Sequence, residues 1–249
     1  NGPWKTAVPH MMDQLRPPSP VSILGEARIV AEWLALRFSL PLVKRTAPRS
    51  SGDPVLVVPG FGTDDSWTAS LRRFLGSLGY DVRGWGLGRN HGRVPELIPR
   101  LAEQTAELAG AGGRPVRLIG WSLGGYLARE VARDLTDLVH EVITLGSPVV
   151  GGPKYTATAP WYVRRGYDLD EIEAGLEQRE SVPIRVPIRA VYSRSDGVVS
   201  WQACIDHRSP NVTHHPVVSS HLGLVASPAV FRIVARLLAD SDSGSEACH

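Results

Sequence analysis

Pro115-Val116-Arg117-Leu118-Ile119-Gly120-Trp121-Ser122-Leu123-Gly124-Gly125-Tyr126-Leu127-Ala128 is the stretch on which the reading of this chain turns. Its first five residues make an apolar run with a single arginine, as a buried strand would. From Leu123 onward, Tyr126, Leu127, Glu130, Val131 and Leu135 follow a helical pattern. Between the two lies Gly120-Trp121-Ser122-Leu123-Gly124, a G-x-S-x-G pentapeptide at a strand-to-helix turn. A turn this sharp strains the serine, and only small residues fit two positions before and after it. It also turns the hydroxyl outward and aims the N–H groups of the following helix start at the place where an oxyanion would form. The pattern therefore points to attack by Ser122 on an acyl carbon. A glycine-rich turn that merely closes a strand–helix unit is the structural alternative.

A serine hydroxyl needs an imidazole to take its proton and a carboxylate to orient that imidazole. Downstream, the strand-like run Val186-Pro187-Ile188-Arg189-Ala190-Val191-Tyr192 ends in Ser193-Arg194-Ser195-Asp196-Gly197, which puts Asp196 in a turn past a strand's carboxyl end. In open α/β sheets, sites assemble along that edge. A second extended stretch, Asn211 to Val218, leads into Ser219-Ser220-His221-Leu222-Gly223-Leu224, so His221 falls on a loop before the last helix. Asp196 before Gly197 is also ordinary turn chemistry. Asp206 and Asp170 are rival acids. His214 and His215 alternate along the presumed strand, which suits sheet positions better than a base.

The chain order Ser, Asp, His resembles the α/β-hydrolase family from about Pro54 to Leu238. The resemblance implies Ser122 as nucleophile, Asp196 as acid and His221 as general base. It further implies an oxyanion hole made by the N–H groups of Phe61, in Pro59-Gly60-Phe61-Gly62-Thr63 after the buried run Val55-Leu56-Val57-Val58, and of Leu123. Residues Val55 through Arg89 look like a group of bacterial lipases and esterases. Their oxyanion loop begins Pro-Gly where the common form has His-Gly, and the backbone donors are unaffected by that departure. The expected fold is α/β, a mostly parallel central sheet with helices on both faces and a small helical cap. The expected reaction is ester hydrolysis through an acyl-enzyme on an apolar acyl or aryl ester. An acyltransferase would use the same triad, and a binding protein could keep the fold without turnover.

A chain of 249 residues can form one domain with a large core, and its 43% hydrophobic and 21% charged residues suit a soluble globule. A formal charge of +2, with no basic run interleaved with aromatics, gives no sign of a nucleic-acid partner. Cys204 and Cys248 make no metal spacing, and a disulfide between them is not suggested. No H-E-x-x-H pattern or phosphate-binding glycine loop is present, so neither a metal nor a cofactor is expected. The partner expected is a small-molecule ester or lipid. Two cysteines and the lack of a signal-like apolar stretch lean toward a cytoplasmic chain, although Asn1 in place of an initiating methionine leaves a processed form open. Asn211-Val212-Thr213 fits a glycosylation sequon but sits in a presumed strand.

Residues 1–53 read as a proline-rich arm followed by a docked helix over about 21–40, with Lys44 to Asp53 an exposed connector. Its apolar Trp33 and Leu40-Pro41-Leu42-Val43 end also suits a membrane surface. The α/β domain is expected over 54–240 and a flexible tail over 241–249. The loop Gly86-Leu87-Gly88-Arg89-Asn90-His91-Gly92 is expected to wall the acyl pocket, with Arg89, Asn90 or His91 orienting substrate or anchoring loops. A small cap at about 149–183 holds Trp161, Tyr162 and Tyr167 and a helix from Asp168 to Arg179. Trp121, Trp161 and Tyr162 are the expected substrate contacts.

Overall fold

The computed structural model describes residues 15–243. The first fourteen residues of the arm expected to about Pro20, Cys248 and the end of the expected tail lie outside them. Six segments become strands: β1 (Pro54–Val58), β2 (Asp81–Gly84), β3 (Val116–Trp121), β4 (Val139–Leu145), β5 (Ile188–Ser193) and β6 (Val212–Val217). They form one sheet in the order β2-β1-β3-β4-β5-β6, and every pairing is parallel. After β2 the chain crosses over β1 to lay down β3 on its other side. The loops leaving the carboxyl ends of β1 and β3 therefore diverge from adjacent strands, the topological switch point where α/β sheets bind ligands.

Helices cover both faces, as a parallel sheet requires. α1 (Pro20–Leu24), α2 (Ile29–Thr46), α3 (Asp65–Ser77) and α8 (Pro228–Ser243) accompany α4 (Val94–Gly112) and α5 (Leu123–Asp134), while α6 (Ala159–Arg164) and α7 (Leu169–Arg179) form the cap. The alternation within β1 shows how the core divides. Val55 and Val57 join Leu36, Val43, Leu71, Phe74 and Phe231 on one face, where the Phe74 and Phe231 rings lie 5.0 Å apart. Leu56 and Val58 join Trp85, Leu101, Leu118 and Leu127 on the other.

The N-terminal helix departs from the continuous span expected over 21–40. A 3-10 turn at Gly25–Arg28 separates α1 from α2, and α2 runs through Pro41 to Thr46, so the first residues of the expected connector are helical. Val43, fully buried in the core, holds the turn beyond the proline. β2 stops at Gly84, because the Trp85 and Gly86 N–H groups turn to donate to the Asp65 carboxylate, each at 3.0 Å. The cap helix starts as expected: the Asp168 side chain accepts from the Asp170 and Glu171 N–H groups at the mouth of α7.

Several charges are buried in pairs. Arg117 on β3 and Glu141 on β4 sit in register and meet at 2.9 Å. Arg129 of α5 meets Asp206 at 2.8 Å, both side chains almost wholly buried. Burial alone would raise the Asp206 carboxyl, but Arg129, Ser209 and the Arg208 backbone hold it well below the ordinary aspartate value. Removing one member of such a pair strands the other charge out of water. Arg129→Ala is expected to lower unfolding stability by about 3–5 kcal/mol in urea melts near neutral pH. In the unaltered protein the stabilisation from the depressed Asp206 value is complete above the ordinary 3.8 and is lost as pH falls through the depressed folded value.

Candidate active site

Strand β3 delivers Ser122 into the turn before α5 with φ 54 and ψ −126, and among the described residues it alone combines a side chain with positive φ. Packing enforces this strain. A Cβ on Gly120 would collide with the Gly124 and Gly125 backbone, and one on Gly124 with the Val58 and Pro59 carbonyls. Gly125 is equally restricted, since a Cβ there would strike Ser147. The turn is pinned by the Ser122 N–H donating to the Leu145 carbonyl at 2.8 Å and the Gly125 N–H to the Ser122 carbonyl at 3.0 Å.

The loop after β1 lies beside it. A Cβ on Gly60 would come 3.1 Å from Ser122 Cβ, so the Pro59–Thr63 loop passes directly over the serine. Asn90, fully buried, secures that loop. Its Nδ2 donates to the Pro59 carbonyl at 2.9 Å, its backbone carbonyl accepts from Gly62 at 2.7 Å, and its N–H donates to the Thr63 carbonyl at 2.8 Å. Of the three side chains expected to orient substrate or anchor loops, Asn90 anchors, while Arg89 and His91 are exposed. The Phe61 and Leu123 N–H groups donate to no acceptor among the described residues. Both residues line the same cavity as Ser122.

The expected acid and base meet directly. His221 Nδ1 lies 2.6 Å from Asp196 Oδ2, and both side chains are almost wholly buried. The other Asp196 oxygen accepts from the Val198 and Val199 N–H groups at 2.8 and 2.7 Å, which fixes the carboxylate plane. Ser193 Oγ donates to the Ser219 carbonyl at 2.6 Å and so ties the end of β5 to the histidine loop. Gly146, next in chain to the Leu145 that holds Ser122, packs against the pair: a Cβ there would lie 3.1 Å from Asp196 Oδ2 and 3.2 Å from His221 Nδ1.

The rival residues are occupied elsewhere. Asp206 serves Arg129 and the Arg208 and Ser209 N–H groups, and Asp170, largely exposed, pairs with Lys154 at 2.6 Å. His214 Nε2 accepts from the Asp206 N–H at 3.0 Å, and His215 contacts Thr213 Oγ1 at 2.8 Å. Burial lowers both imidazoles below the usual histidine value, with neighbouring positive groups adding to the effect.

A cavity of about 570 Å³ opens over Ser122, floored by Phe61, Leu123 and Tyr126 and roofed by cap residues Tyr162, Tyr167, Ile172 and Leu176. Burial raises the Tyr162 hydroxyl to about 12, so it stays protonated and can only donate or accept hydrogen bonds at working pH. The three expected substrate contacts separate here. Tyr162 lines the cavity. Trp161 does not line it and packs edge-on to Phe61 at 4.7 Å, with Arg165 over its ring. Trp121 lies beneath the site, because consecutive residues of β3 point to opposite faces: its ring packs against His221 at 5.5 Å and its Nε1 donates to the His221 carbonyl at 3.1 Å. Trp121 thus supports the His221 imidazole from below. Among the described residues no group of three or more His, Cys, Asp or Glu could hold a metal, and no helix is long and apolar enough to cross a membrane.

Two glutamates that the sequence analysis does not single out reach this site. Glu26 and Glu32, from the segment before β1, accept hydrogen bonds from the loops that carry Asp196 and His221. Nothing in their local sequence distinguishes them from solvent-facing glutamates.

The chain matches the Alpha/beta hydrolase family over residues 55–246. Among solved structures it is similar to a monoacylglycerol lipase from Paleococcus ferrophilus, with TM-score 0.56 and 16% identity over 76% of this chain and 96% of that one. An N-formylmaleamic acid deformylase from Pseudomonas putida S16 gives TM-score 0.55 and 18% identity, covering 76% and 93%. An alpha/beta superfamily hydrolase from Oenococcus oeni gives 0.57 and 16%, covering 77% and 93%. At these identities the likeness to solved structures concerns the fold. The family match itself spans well over half of the chain and takes in the strained Ser122 turn together with the Asp196–His221 pair, and on that ground the protein belongs to the alpha/beta hydrolase family.

Proposed function

We propose that this hydrolase cleaves carboxylic esters with an apolar acyl or aryl group through an acyl-enzyme on Ser122. The observation that carries the reading is the strained Ser122 at the floor of a cavity whose lining includes Phe61, Leu123, Ile172, Leu176 and Val199 and few charged groups. An apolar chain would gain about 25 cal/mol for each Å² of its surface removed from water there. A polyol or dianion would find few replacement partners along the apolar part of this lining.

In the first half-reaction the Ser122 hydroxyl attacks the ester carbonyl carbon while His221 Nε2 accepts its proton. Asp196, bonded to Nδ1, holds the ring in the tautomer that leaves Nε2 free and balances the imidazolium. The carbonyl oxygen, now negative, accepts from the Phe61 and Leu123 N–H groups. Backbone donors held by the fold in this way cost no reorganisation during the step. The imidazolium gives its proton to the departing alkoxide, and the C–O bond to the alcohol breaks. Water then repeats the sequence on the acyl-enzyme and releases the acid. Ser122 Oγ makes no hydrogen bond among the described residues. Serine–histidine contacts commonly tighten only around bound substrate.

An acyltransferase would share every step up to the acyl-enzyme and differ only in the second nucleophile. No group in the cavity favours an alcohol acceptor over water, so hydrolysis is the reading we retain.

The expected outcome with a p-nitrophenyl ester series from acetyl to palmitoyl is turnover with a definite chain-length optimum, abolished in Ser122→Ala together with labelling by a fluorophosphonate probe. Retained turnover in that variant would remove the serine mechanism, and acyl transfer to added alcohols in preference to water would convert the assignment to a transferase. Asp196→Asn is expected to lower kcat by on the order of 10⁴ through loss of the productive tautomer. Leu176→Trp, which narrows the cavity beneath the cap, is expected to move the optimum to shorter acyl chains; an unchanged profile would show that acyl groups bind elsewhere.

A further inference from the structure

Glu26 lies on the 3-10 turn Gly25–Arg28 and is 8% exposed. Its Oε1 accepts from the Gly197 N–H at 2.8 Å and the His221 N–H at 2.9 Å, and its Oε2 accepts from the Leu222 N–H at 2.9 Å. Gly197 directly follows Asp196, and His221 is its hydrogen-bond partner. One carboxylate therefore bridges the acid loop to the base loop and caps the short helix Leu222–Val225, beside Ser220 Oγ, which accepts from the Gly223 N–H at 3.0 Å. Glu32 adds a second hold, accepting from the Ser220 N–H at 3.0 Å and from Ser220 Oγ at 2.6 Å. Both loops are shaped for this contact. A Cβ on Gly197 would collide with the Ser22 carbonyl, and one on Gly223 with the Glu32 carboxylate.

We infer that Glu26 is a positioning residue of the active site. It joins two loops that arrive from β5 and β6 and keeps His221 Nδ1 on Asp196 Oδ2. The N-terminal segment, which precedes the family-matched residues 55–246, is thereby part of the catalytic unit. The inference rests on the serine–histidine–aspartate reading of the site. Charge-assisted bonds to three backbone donors are strong and directional, and a displacement of the base by about 1 Å can cost on the order of 10²-fold in rate.

Three variants and two readouts test it. Glu26→Ala is expected to lower kcat for the preferred p-nitrophenyl ester by about 10²-fold with KM within about twofold. Glu26→Gln, which retains one acceptor oxygen, should fall between it and the unaltered protein. Leu36→Ala weakens the packing of the same helix while leaving both carboxylates intact, so it should lower Tm yet keep kcat within about twofold. The downfield NMR proton of His221 Nδ1–H, which needs no substrate, should be lost or shifted in Glu26→Ala and preserved in Leu36→Ala. An unchanged kcat and proton signal in Glu26→Ala, or an equal loss of both in Leu36→Ala, would overturn the inference. Turnover that survives Ser122→Ala would instead sink the reading of the reaction, and the proton signal would still report on the clamp.

The outer face of the same segment carries a second, independent inference. With Glu26 and Glu32 engaged inward, the segment from Leu15 to Arg49 has no other acidic residue, whereas Arg28, Arg37 and Arg45 are exposed. Around them stand Leu24 at 75% exposure, Val30 at 63%, Phe38 at 80% and Leu42 at 58%. We propose that this face docks on an anionic lipid bilayer, with α2 lying flat, its apolar side chains among the acyl chains and its arginines among the headgroups. Such a helix binds through buried apolar area together with attraction to anionic lipid, to which each basic residue near the surface adds. The intact protein should float with phosphatidylcholine/phosphatidylglycerol vesicles and bind pure phosphatidylcholine at least tenfold more weakly. Phe38→Glu, at an exposed site that does not threaten folding, should reduce binding to the anionic vesicles by at least tenfold. Absence of binding to either vesicle would overturn the proposal, as would a dimer in sedimentation that Phe38→Glu dissociates, since the face would then belong to a second copy of the chain.

Discussion

A serine held at φ 54 is uphill for an L-residue, by roughly 1–3 kcal/mol, and stays there only because the surroundings leave no other path. β3 and α5 meet so closely that Gly120, Gly124 and Gly125 touch backbone or Ser147 from both sides. The same crowding brings the loop after β1 across the serine. The remainder of the site is arranged around this fixed point: Asn90 steadies the loop above it, Leu145 holds the Ser122 N–H, and Gly146 carries the close packing on to Asp196 and His221.

The Asp196–His221 pair depends on longer-range support. Asp196 and His221 sit on loops from the last two strands. Support comes from three directions. Trp121 packs under the imidazole and holds the His221 carbonyl, Ser193 ties β5 to Ser219, and the N-terminal segment reaches across with Glu26 and Glu32. A carboxylate suits the last task because it accepts several N–H bonds at once in a place from which water is excluded.

That segment is two-sided in an unusual sense. Its inward face is a mixture of core contacts, through Leu36 and Val43, and carboxylate contacts to the loops, while its outward face is apolar with arginines. An amphipathic helix on a globular domain ordinarily reverses this pattern, hydrophobic inward and charged outward. The inversion is why periodicity indicates helix in this segment but does not reveal where its carboxylates point.

Residues close in sequence carried most of what could be read without coordinates. The G-x-S-x-G turn, the apolar runs of β1, β3 and β4 and the Asp168 cap are local patterns, each set by steric limits or periodicity within a dozen residues. They determined an α/β sheet, a strained Ser122 and the order of the candidate acid and base. Only the tertiary structure decided what required distant chain to meet: that Asp196 and His221 pair while Asp206 turns to Arg129, that Trp121 supports the base from below instead of lining the cavity, and that Glu26 accepts from residues 171 to 196 positions away. A carboxylate's partner is a matter of geometry after folding, and no spacing rule along the chain encodes it.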